Sequence, residues 1–351
     1  MTEDKIIIAM SGGVDSAVAA YLASRGRCAA GVTMDLRSSG VGCDETAETD
    51  ISGAATVCDM LGIPHFVAEL GETFRKTVVA DFIAAYEAGE TPNPCVLCNK
   101  VIKFGALLDF ATENGFDRIA TGHYVKIEKN AEGRRLIRRA ADLGKDQTYM
   151  LWSLSQDVLS RCEFPLGALS KAEVRALAAE LKLPMASKGD SQDICFVPDG
   201  DYAAFIARTT GKTPVPGHFI SMNGSILGQH KGQLHYTIGQ RKGLGISLGK
   251  PAFVVAKSAE NNTVTLGEDA DLFTTRLAAK RINFIPFDRL DAPMRLLAKV
   301  RYRQEASPAR VEQIGENELL VEFETPQRAI CKGQSLVLYS DDYLVSGGII
   351  S

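Results

Sequence analysis

Short apolar runs alternate with stretches of helical length along residues 5–122. In chain order, the predicted segments are 6–10, 17–24, 29–34, 54–61, 63–70, 74–86, 103–110 and 118–121. Strands that alternate with helices form a parallel sheet that is covered on both faces. The pattern therefore predicts a doubly wound α/β domain. Its ligands should bind at the carboxyl ends of the strands, where the loops after Met10, Met34 and Ala120 converge.

The pattern changes near residue 211 to short β-like runs that are separated by glycine-containing turns. The last third is β throughout, with predicted strands at 297–303, 319–324, 335–339 and 344–350. Such a series of short strands is typical of a small barrel. We therefore expect a parallel-sheet α/β domain at 1–209, a small, mostly β domain at 210–274 and a C-terminal β-barrel at 275–351.

Composition narrows the class of protein. With 351 residues, of which 45% are hydrophobic, the chain can bury a large core. The sequence shows no signal-peptide pattern and no apolar run that approaches the roughly 18 residues of a membrane span, so we expect a cytoplasmic protein without membrane contact. The eight cysteines are too scattered for a disulfide framework, and in a cytosolic setting they should be thiols.

The charge is unevenly distributed. A net charge of −4 argues against wholesale attraction to nucleic acid. However, the 58 residues between Asp201 and Glu260 contain no acidic residue, where the chain average gives about seven. Seven Lys or Arg and three of the five histidines lie in this gap. The gap predicts a surface that faces a polyanion, and the alternative is a glycine-rich loop region that lacks acids.

Two other basic segments have open interpretations. Four arginines on a predicted hairpin indicate either phosphate contacts or a solvated face: Arg134, Arg135, Arg138 and Arg139. Residues 299–303 alternate cations with an aromatic ring, which suits a nucleic-acid backbone, although an exposed edge strand would look similar.

A glycine-rich turn joins the first predicted strand to the first predicted helix. Its residues are Ala9, Met10, Ser11, Gly12, Gly13, Val14, Asp15 and Ser16. A buried strand that feeds such a turn points backbone N–H groups and the positive end of the helix dipole at one position, which favours a phosphate. The serine hydroxyls add donors, and Asp15 can hold Mg²⁺ or a bound group. The alternative is an ordinary tight turn between a strand and a helix.

The turn differs from two common phosphate-binding motifs. It lacks both the Gly-Lys-Ser/Thr of a Walker A motif and the Gly-x-Gly-x-x-Gly of a dinucleotide fingerprint. Its Ser-Gly-Gly-x-Asp-Ser instead resembles the PP-loop of ATP pyrophosphatases. This resemblance implies an enzyme that adenylates a carbonyl or carboxyl oxygen, releases pyrophosphate and lets a nucleophile displace AMP.

Two cysteines are candidates for sulfur chemistry. Two prolines forbid regular structure before a helix that should start near Asn99, which places Cys98 at a helix N-terminus. With Lys100 and Lys103 nearby, the pKa of Cys98 should be lowered, as a nucleophilic thiolate requires. Cys195 follows a polar, irregular segment, and a buried structural cysteine is the alternative there.

Metal binding is the alternative for the closely spaced pair Cys95 and Cys98. Structural zinc usually needs two such pairs, and the sequence has no second Cys-x-x-Cys. An iron–sulfur cluster that is held by Cys95, Cys98 and one distant cysteine stays open, because thiolates also suit iron.

Further segments flank these candidates. Met34, at the end of a predicted strand, either packs on an adenine or is a core methionine. Gly122 and His123 follow another strand, so that backbone can approach a nucleotide and His123 can point towards it. Ser170 and Glu173 form a capping box that opens a helix whose role should be purely structural.

Together, these stretches resemble the tRNA 2-thiouridylases of the MnmA/TrmU type along nearly the whole chain. The matching motifs, in family order, are Ala9 to Ser16, Thr91 to Asn99, Ala120 to Tyr124, Asp193 to Phe196, His235 to Gly245, and Val300 to Arg303 with Gly333 and Gln334. The resemblance implies that ATP adenylates O2 of uridine at wobble position 34 of tRNA. Sulfur from a persulfide, delivered by a relay protein or a cysteine desulfurase, then replaces that oxygen.

The resemblance also implies the role of each residue. Cys195 carries the persulfide, and Cys98 is the nucleophile that frees its sulfur by closing a transient Cys98–Cys195 disulfide. Asp15 joins them as a catalytic residue, and Mg²⁺ accompanies ATP. The ATP-binding residues are Ala9, Met10, Ser11, Gly12, Gly13, Val14, Asp15, Ser16, Met34 and Gly122. The target-base contacts are Asn93, Pro94 and Cys95, and the tRNA contacts are His123, Lys145, Asp146, Gln147, Arg301, Tyr302 and Gln334.

Two positions depart from the family pattern. Some members carry Asp where this chain has Cys95, which argues that Cys95 is not the essential thiol. Members often show Pro before the C-terminal Gly-Gln, whereas Cys331 and Lys332 precede it here. We expect a monomer that works on the anticodon stem-loop of tRNA. The alternatives are a PP-loop synthetase or amidotransferase that acts on a small molecule, and an RNA-binding module whose cysteines bind zinc or a cluster.

Overall fold

Strand β1 (Lys5–Met10) lies at the centre of the first sheet, and Ile6, Ile7 and Ile8 on it are inaccessible to solvent. The structure is a computed structural model that describes residues 5–36, 40, 44–185 and 194–351. The other strands of this sheet are β2 (Cys28–Asp35), β3 (His65–Glu69), β4 (Arg118–Ala120) and β7 (Cys162–Glu163). Their order is β3-β2-β1-β4-β7, and all neighbours are parallel. The predicted parallel sheet is confirmed.

Alternate side chains of β1 enter two different cores, because successive residues of a strand point to opposite faces. Ile6 and Ile8 pack with helices α1 (Val14–Ser24), α2 (Asp44–Leu61) and α8 (Lys171–Glu180). Ile7 packs with Phe74 and Leu107 on the other face. The helices there are α3 (Gly71–Phe74), α4 (Ala80–Glu87), α5 (Pro94–Cys98) and α6 (Leu107–Glu113). The sheet is therefore doubly wound, as the alternation predicts.

Two of the helical runs contain π-helical segments. Residues Arg75–Val79 join α3 to α4, and Asn99–Ala106 join α5 to α6. The expected helix start near Asn99 is wrong, because α5 begins at Pro94. Proline is tolerated at the first helical position, where its missing N–H has no partner to lose. Cys98 therefore lies at the end of α5 rather than at a helix N-terminus.

A hairpin of β5 (Val125–Lys129) and β6 (Arg135–Arg139) connects the α/β domain to the C-terminal strands. Arg134 donates to Asp288 at 2.8 Å, and Arg138 forms an ion pair with Glu128 at 2.9 Å. The Arg139 guanidinium lies 4.3 Å from the centre of the Tyr339 ring. Three of the four hairpin arginines thus make contacts within the protein, which neither of the two sequence interpretations includes.

A second sheet follows the parallel sheet and its helices. Helix α7 (Gln156–Ser160) precedes α8, and helix α9 (Tyr202–Thr210) leads into the new sheet. The strands of this sheet are β8 (Gly217–Ser221), β9 (Ile226–His230), β10 (Phe253–Ser258) and β11 (Thr263–Gly267). The sheet order is β10-β11-β8-β9. Phe219, Tyr236 and Val264 belong to a separate small core. The acid-free stretch of the sequence contains α9 and the strands β8, β9 and β10, whereas β11 follows it.

The C-terminal strands close into a six-stranded barrel. They are β12 (Phe273–Phe284), β13 (Met294–Lys299), β14 (Ser307–Gly315), β15 (Glu318–Arg328), β16 (Ser335–Ser340) and β17 (Tyr343–Ile350). The order is β12-β15-β14-β13-β16-β17, and antiparallel pairing of β12 with β17 closes the barrel. Closure leaves the six strands no free edge inside the barrel wall. The predicted C-terminal barrel is confirmed.

The strand predicted at 297–303 is too long. Strand β13 ends at Lys299, and residues 300–304 form a bend and turn. Because β13 pairs with both β14 and β16, it is also not an edge strand. Arg301 and Tyr302 leave the barrel wall at this turn. None of the helices in the described ranges combines the length and apolar character that crossing a lipid bilayer requires.

Gly347 on β17 faces Trp152, the single tryptophan of the chain, and a Cβ at this position would overlap the indole ring. We expect Gly347→Ala to lower the free energy of unfolding by about 1–3 kcal/mol, because the ring must move in a packed core. Gly315→Ala is the control, since its Cβ would meet only Glu318 Cβ at 3.6 Å. Urea titration followed by Trp152 fluorescence measures both changes, and equal unfolding midpoints for the two variants would contradict the prediction.

Candidate functional site

The turn between β1 and α1 has the geometry of an anion-binding loop. Gly12 has a φ of +64°, and a Cβ there would lie 2.6 Å from Asp50 Cα, so both conformation and space require glycine. Ser16 Oγ accepts from the N–H of Ser11 at 3.1 Å and donates to the carbonyl oxygen of Gly13 at 3.0 Å. Helix α1 begins at Val14, which leaves its first N–H groups available to a phosphate.

Asp15 of this loop is held by two partners that sequence spacing did not identify. Lys171 Nζ lies 2.7 Å from Asp15 Oδ1 and 2.8 Å from Oδ2, and the Tyr124 hydroxyl donates to Oδ1 at 2.8 Å. Lys171 is the first residue of α8, so this helix contacts the phosphate loop, which the sequence analysis did not include. The capping box of Ser170 and Glu173 is confirmed, and it places the Lys171 ammonium beside the phosphate loop.

The loop after β4 packs directly on the phosphate loop. A Cβ at Gly122 would lie 3.0 Å from the carbonyl carbon of Asp15 and from the nitrogen of Ser16. His123 is buried, and its Nδ1 is 2.7 Å from Thr121 Oγ1. Its ring contacts Phe104, which lies on the π-helical segment after Cys98. Burial, with Lys103, lowers the pKa of His123 well below its usual value, so the imidazole is neutral.

Met34 lies at the carboxyl end of β2, as predicted. Its side chain is half-buried and packs against the core on the Ile7 face of the sheet. Ala9 is also partly buried against this core. The core contact agrees with the structural interpretation of Met34, and contact with an adenine stays a prediction.

Three thiols from two separate segments form one cluster. Cys95 and Cys98 belong to α5, and Cys195 lies in the segment that precedes α9. The thiols interact electrostatically, since Cys195 and Cys95 both raise the pKa of Cys98. All three are free, and Cys95 and Cys195 are exposed whereas Cys98 is half-buried. The structure thus brings together the two cysteines that the sequence singled out.

The predicted low pKa of Cys98 is wrong. Burial raises the pKa of this thiol to about 12; Lys103 acts in the opposite direction, and Cys195 and Cys95 add to the increase. Lys100 is exposed and is not among the charges that act on Cys98. Burial removes water from the Cys98 sulfur, which disfavours the thiolate. Because Cys98 does not lie at a helix N-terminus, the helix dipole does not offset this loss of hydration.

Aromatic packing anchors Cys195. The ring of the next residue, Phe196, lies 5.5 Å from Phe74, 5.3 Å from Phe82 and 5.3 Å from Phe205. Burial and Cys95 raise the pKa of Cys195, while Lys103 and the backbone N–H groups of Cys195 and Phe196 lower it. The motif residue Asp193 lies outside the described residues.

The C-terminal barrel holds the segment that leads to Cys95. Gln334 Nε2 donates to the carbonyl oxygens of Thr91 at 2.8 Å and Pro92 at 3.2 Å. The N–H of Thr91 donates to the carbonyl oxygen of Lys332 at 2.8 Å. These three hydrogen bonds fix the backbone just before Asn93 and Pro94. The departure from the family pattern at Lys332 does not prevent this contact, because it uses only the backbone of Lys332.

The other residues predicted to contact tRNA lie near this junction. Tyr302 donates to the carbonyl oxygen of Asp146 at 3.2 Å, and Gln147 Oε1 accepts from the N–H of Tyr124 at 2.8 Å. Arg301 Nη2 donates to Ala329 O at 2.7 Å. The electrostatic partners of Tyr302 include Asp146, Lys145 and Cys95. The turn that ends β13 therefore reaches the thiol cluster.

The metal-binding alternatives receive no support from the described part of the chain. Within it, no three side chains of His, Cys, Asp or Glu are placed to bind one metal ion. This applies both to a zinc site and to an iron–sulfur cluster that uses Cys95 and Cys98.

Alkylation measures the protonation state of Cys98. Because burial raises its pKa to about 12, the rate of reaction with iodoacetamide should increase about tenfold for each pH unit between about pH 7 and 10, without a plateau. Peptide mass spectrometry separates Cys98 from the buried Cys58, whose labelling reports unfolding. A plateau in the Cys98 rate below about pH 9 would show instead that the thiol ionises readily.

Family models match three consecutive parts of the chain. They are described as a tRNA methyl transferase HUP domain over residues 4–199, a tRNA methyl transferase PRC-barrel domain over 203–268 and an aminomethyltransferase beta-barrel domain over 274–350.

The chain is similar along its length to proteins named tRNA-specific 2-thiouridylase MnmA. The protein from Lachnoclostridium phytofermentans is 44% identical, and the similarity covers 99% of each chain. The protein from Clostridioides difficile (strain 630) is 46% identical over 99% of this chain and 98% of the relative. The protein from Acetivibrio thermocellus is 44% identical over 100% of both chains.

Proposed function

The chain belongs to the family of tRNA-specific 2-thiouridylases, and we propose that it replaces O2 of uridine 34 in tRNA by sulfur, using ATP and a persulfide. The observation that carries this proposal is the packing of Gly122 on the phosphate loop beside His123, whose ring contacts the helical run that bears Cys98. The loop proposed for phosphates and the helical run with the free thiols Cys95 and Cys98 are therefore joined through residues 122–123.

Activation of the base comes first. The C2 carbonyl of uridine is a poor electrophile, because oxide would have to leave. Attack of O2 on the α-phosphorus of ATP releases pyrophosphate and leaves AMP on O2, which is a good leaving group. The loop from Ala9 to Ser16 would hold the phosphates, and Lys171 is placed by Asp15 to balance their charge.

Mg²⁺ that accompanies the nucleotide fits this loop. Mg²⁺ takes most of its ligands from phosphates and water and only one or two from carboxylates. Carboxylates at the loop include Asp15, both of whose oxygens accept from Lys171, and Asp50, which lies against Gly12. The ion would neutralise charge on the phosphates when it is bound.

Sulfur transfer follows. The terminal sulfur of the Cys195 persulfide attacks C2, and AMP leaves with the former O2. The Cys98 thiolate then attacks Cys195 Sγ, which forms the Cys98–Cys195 disulfide and breaks the bond from Cys195 to the transferred sulfur. The electron pair of that bond stays on the sulfur of 2-thiouridine. An external dithiol must reduce the disulfide before the next turnover.

The partners follow from the proposed chemistry. Asn93, Pro94 and Cys95 would contact the target base, because the barrel fixes their segment beside the thiols. The tRNA would contact His123, Lys145, Asp146, Gln147, Arg301, Tyr302 and Gln334, and the acid-free sheet would face its phosphates. A relay protein or a cysteine desulfurase would load Cys195, whose exposure allows this.

The test is one incubation of the protein with ATP, Mg²⁺, unmodified tRNA, a dithiol and a cysteine desulfurase that is supplied with cysteine, followed by mass spectrometry of the nucleosides. We expect 2-thiouridine that depends on ATP and appears at position 34. Pyrophosphate release without 2-thiouridine, or no reaction with any tRNA, would overturn the proposal.

Substitutions separate the two chemical steps. We expect Cys98→Ser and Cys195→Ser each to abolish thiolation while affinity for tRNA stays within about threefold, because neither change removes a charge contact with phosphate. Asp15→Asn should instead stop pyrophosphate release, since Lys171 loses its ion pair.

Cys28→Ser is the matched control for these variants. Cys28 is exposed at the start of β2, whereas the proposed site lies at the carboxyl ends of the strands. Nucleoside analysis should show unchanged thiolation for this variant. Normal thiolation by the Cys98 or Cys195 variant would remove the role assigned to that cysteine.

A further inference from the structure

Lys103 lies five residues after Cys98 on the same continuous helical run. In an α-helix, two residues at this spacing point about 140° apart around the axis. The segment Asn99–Ala106 is π-helical, however, and it follows Cys98 directly. A π turn is closed by i→i+5 hydrogen bonds and holds more residues than an α turn, so it brings Lys103 closer to the side of the helix on which Cys98 lies.

The surroundings of Lys103 suit an anion. The side chain is half-buried, and within the described ranges its ammonium forms no ion pair with a carboxylate. Burial is the main influence on the pKa of Cys95, Cys98 and Cys195 and raises it in each, and Lys103 opposes this increase in all three. Among the described residues, Lys103 is thus the lysine that acts on all three thiols, whereas the neighbouring Lys100 is exposed and is not among the charges that act on them.

We propose that the Lys103 ammonium binds the anionic sulfur of the reaction, first on Cys98 and then on the sulfur that is transferred. This inference rests on the proposed thiolation. When the Cys98 thiolate attacks Cys195 Sγ, one negative charge moves from Cys98 to the departing sulfur, and no charge is created or lost. One fixed cation beside both positions can therefore stabilise the step from beginning to end.

The charge of Lys103 can be tested without any substrate. Lys103→Met removes the ammonium at nearly constant length, Lys103→Arg keeps the charge, and Lys100→Met is the matched control on the same helical run. In ligand-free protein at about pH 8.5, the alkylation rate of Cys98 follows its thiolate fraction. We expect Lys103→Met to slow this rate about tenfold and the other two variants to change it by less than about twofold.

Cys58 in the same samples reports on folding. Its labelling should stay slow in all variants, because Cys58 is buried in the core on the other face of the sheet. Alkylation of Cys98 in Lys103→Met at the rate of the unchanged protein would overturn the inference. So would equal slowing by Lys100→Met, because that would indicate a general charge effect.

Turnover provides the second readout. With ATP, tRNA, a cysteine desulfurase supplied with cysteine, and a dithiol, Lys103→Met should release pyrophosphate at an unchanged rate but form 2-thiouridine at least about tenfold more slowly, and Lys103→Arg should retain most of the activity. An equal loss of both products would place Lys103 in the nucleotide step and overturn the inference. If the unchanged protein forms no 2-thiouridine, the proposed function fails, and the alkylation rates still decide whether Lys103 stabilises an anionic sulfur.

Discussion

The contact between Gly122 and the backbone of Asp15 and Ser16 is the constraint on which the site depends. A Cβ at Gly122 would lie 3.0 Å from the backbone of the phosphate loop, so any side chain there would force the two loops apart. The same loop continues into the buried His123, whose ring packs on Phe104 of the helical run that carries Cys95 and Cys98. The phosphate loop and this helical run are therefore linked by direct packing through residues 122–123.

The second constraint comes from the far end of the chain. The barrel donates hydrogen bonds from Gln334 to Thr91 and Pro92, and the turn after β13 brings Tyr302 to Asp146. Strand β6 pairs with barrel strand β17 at Tyr343, and the barrel reaches the thiol-bearing segment through the turns between its strands. The segment before Cys95 is in consequence positioned by residues that lie more than 200 positions later.

Much of the architecture could be predicted from the sequence, because it depends on local patterns. The isoleucines of β1, the capping box at Ser170 and the glycine turn each have a signature within a few residues. The two prolines do not define the start of α5, because a proline can either interrupt a helix or occupy its first position. The pairing of Asp15 with Lys171 leaves no local signature, because 156 residues separate the two. The pKa of Cys98 depends on burial, which follows from tertiary packing and from no neighbour in sequence.

The high pKa of Cys98 also affects how readily this thiol is oxidised. Peroxides and adventitious metals react with thiolates rather than with thiols. Desolvation, which keeps the proton on the Cys98 sulfur, therefore also slows the reaction of this thiol with oxidants.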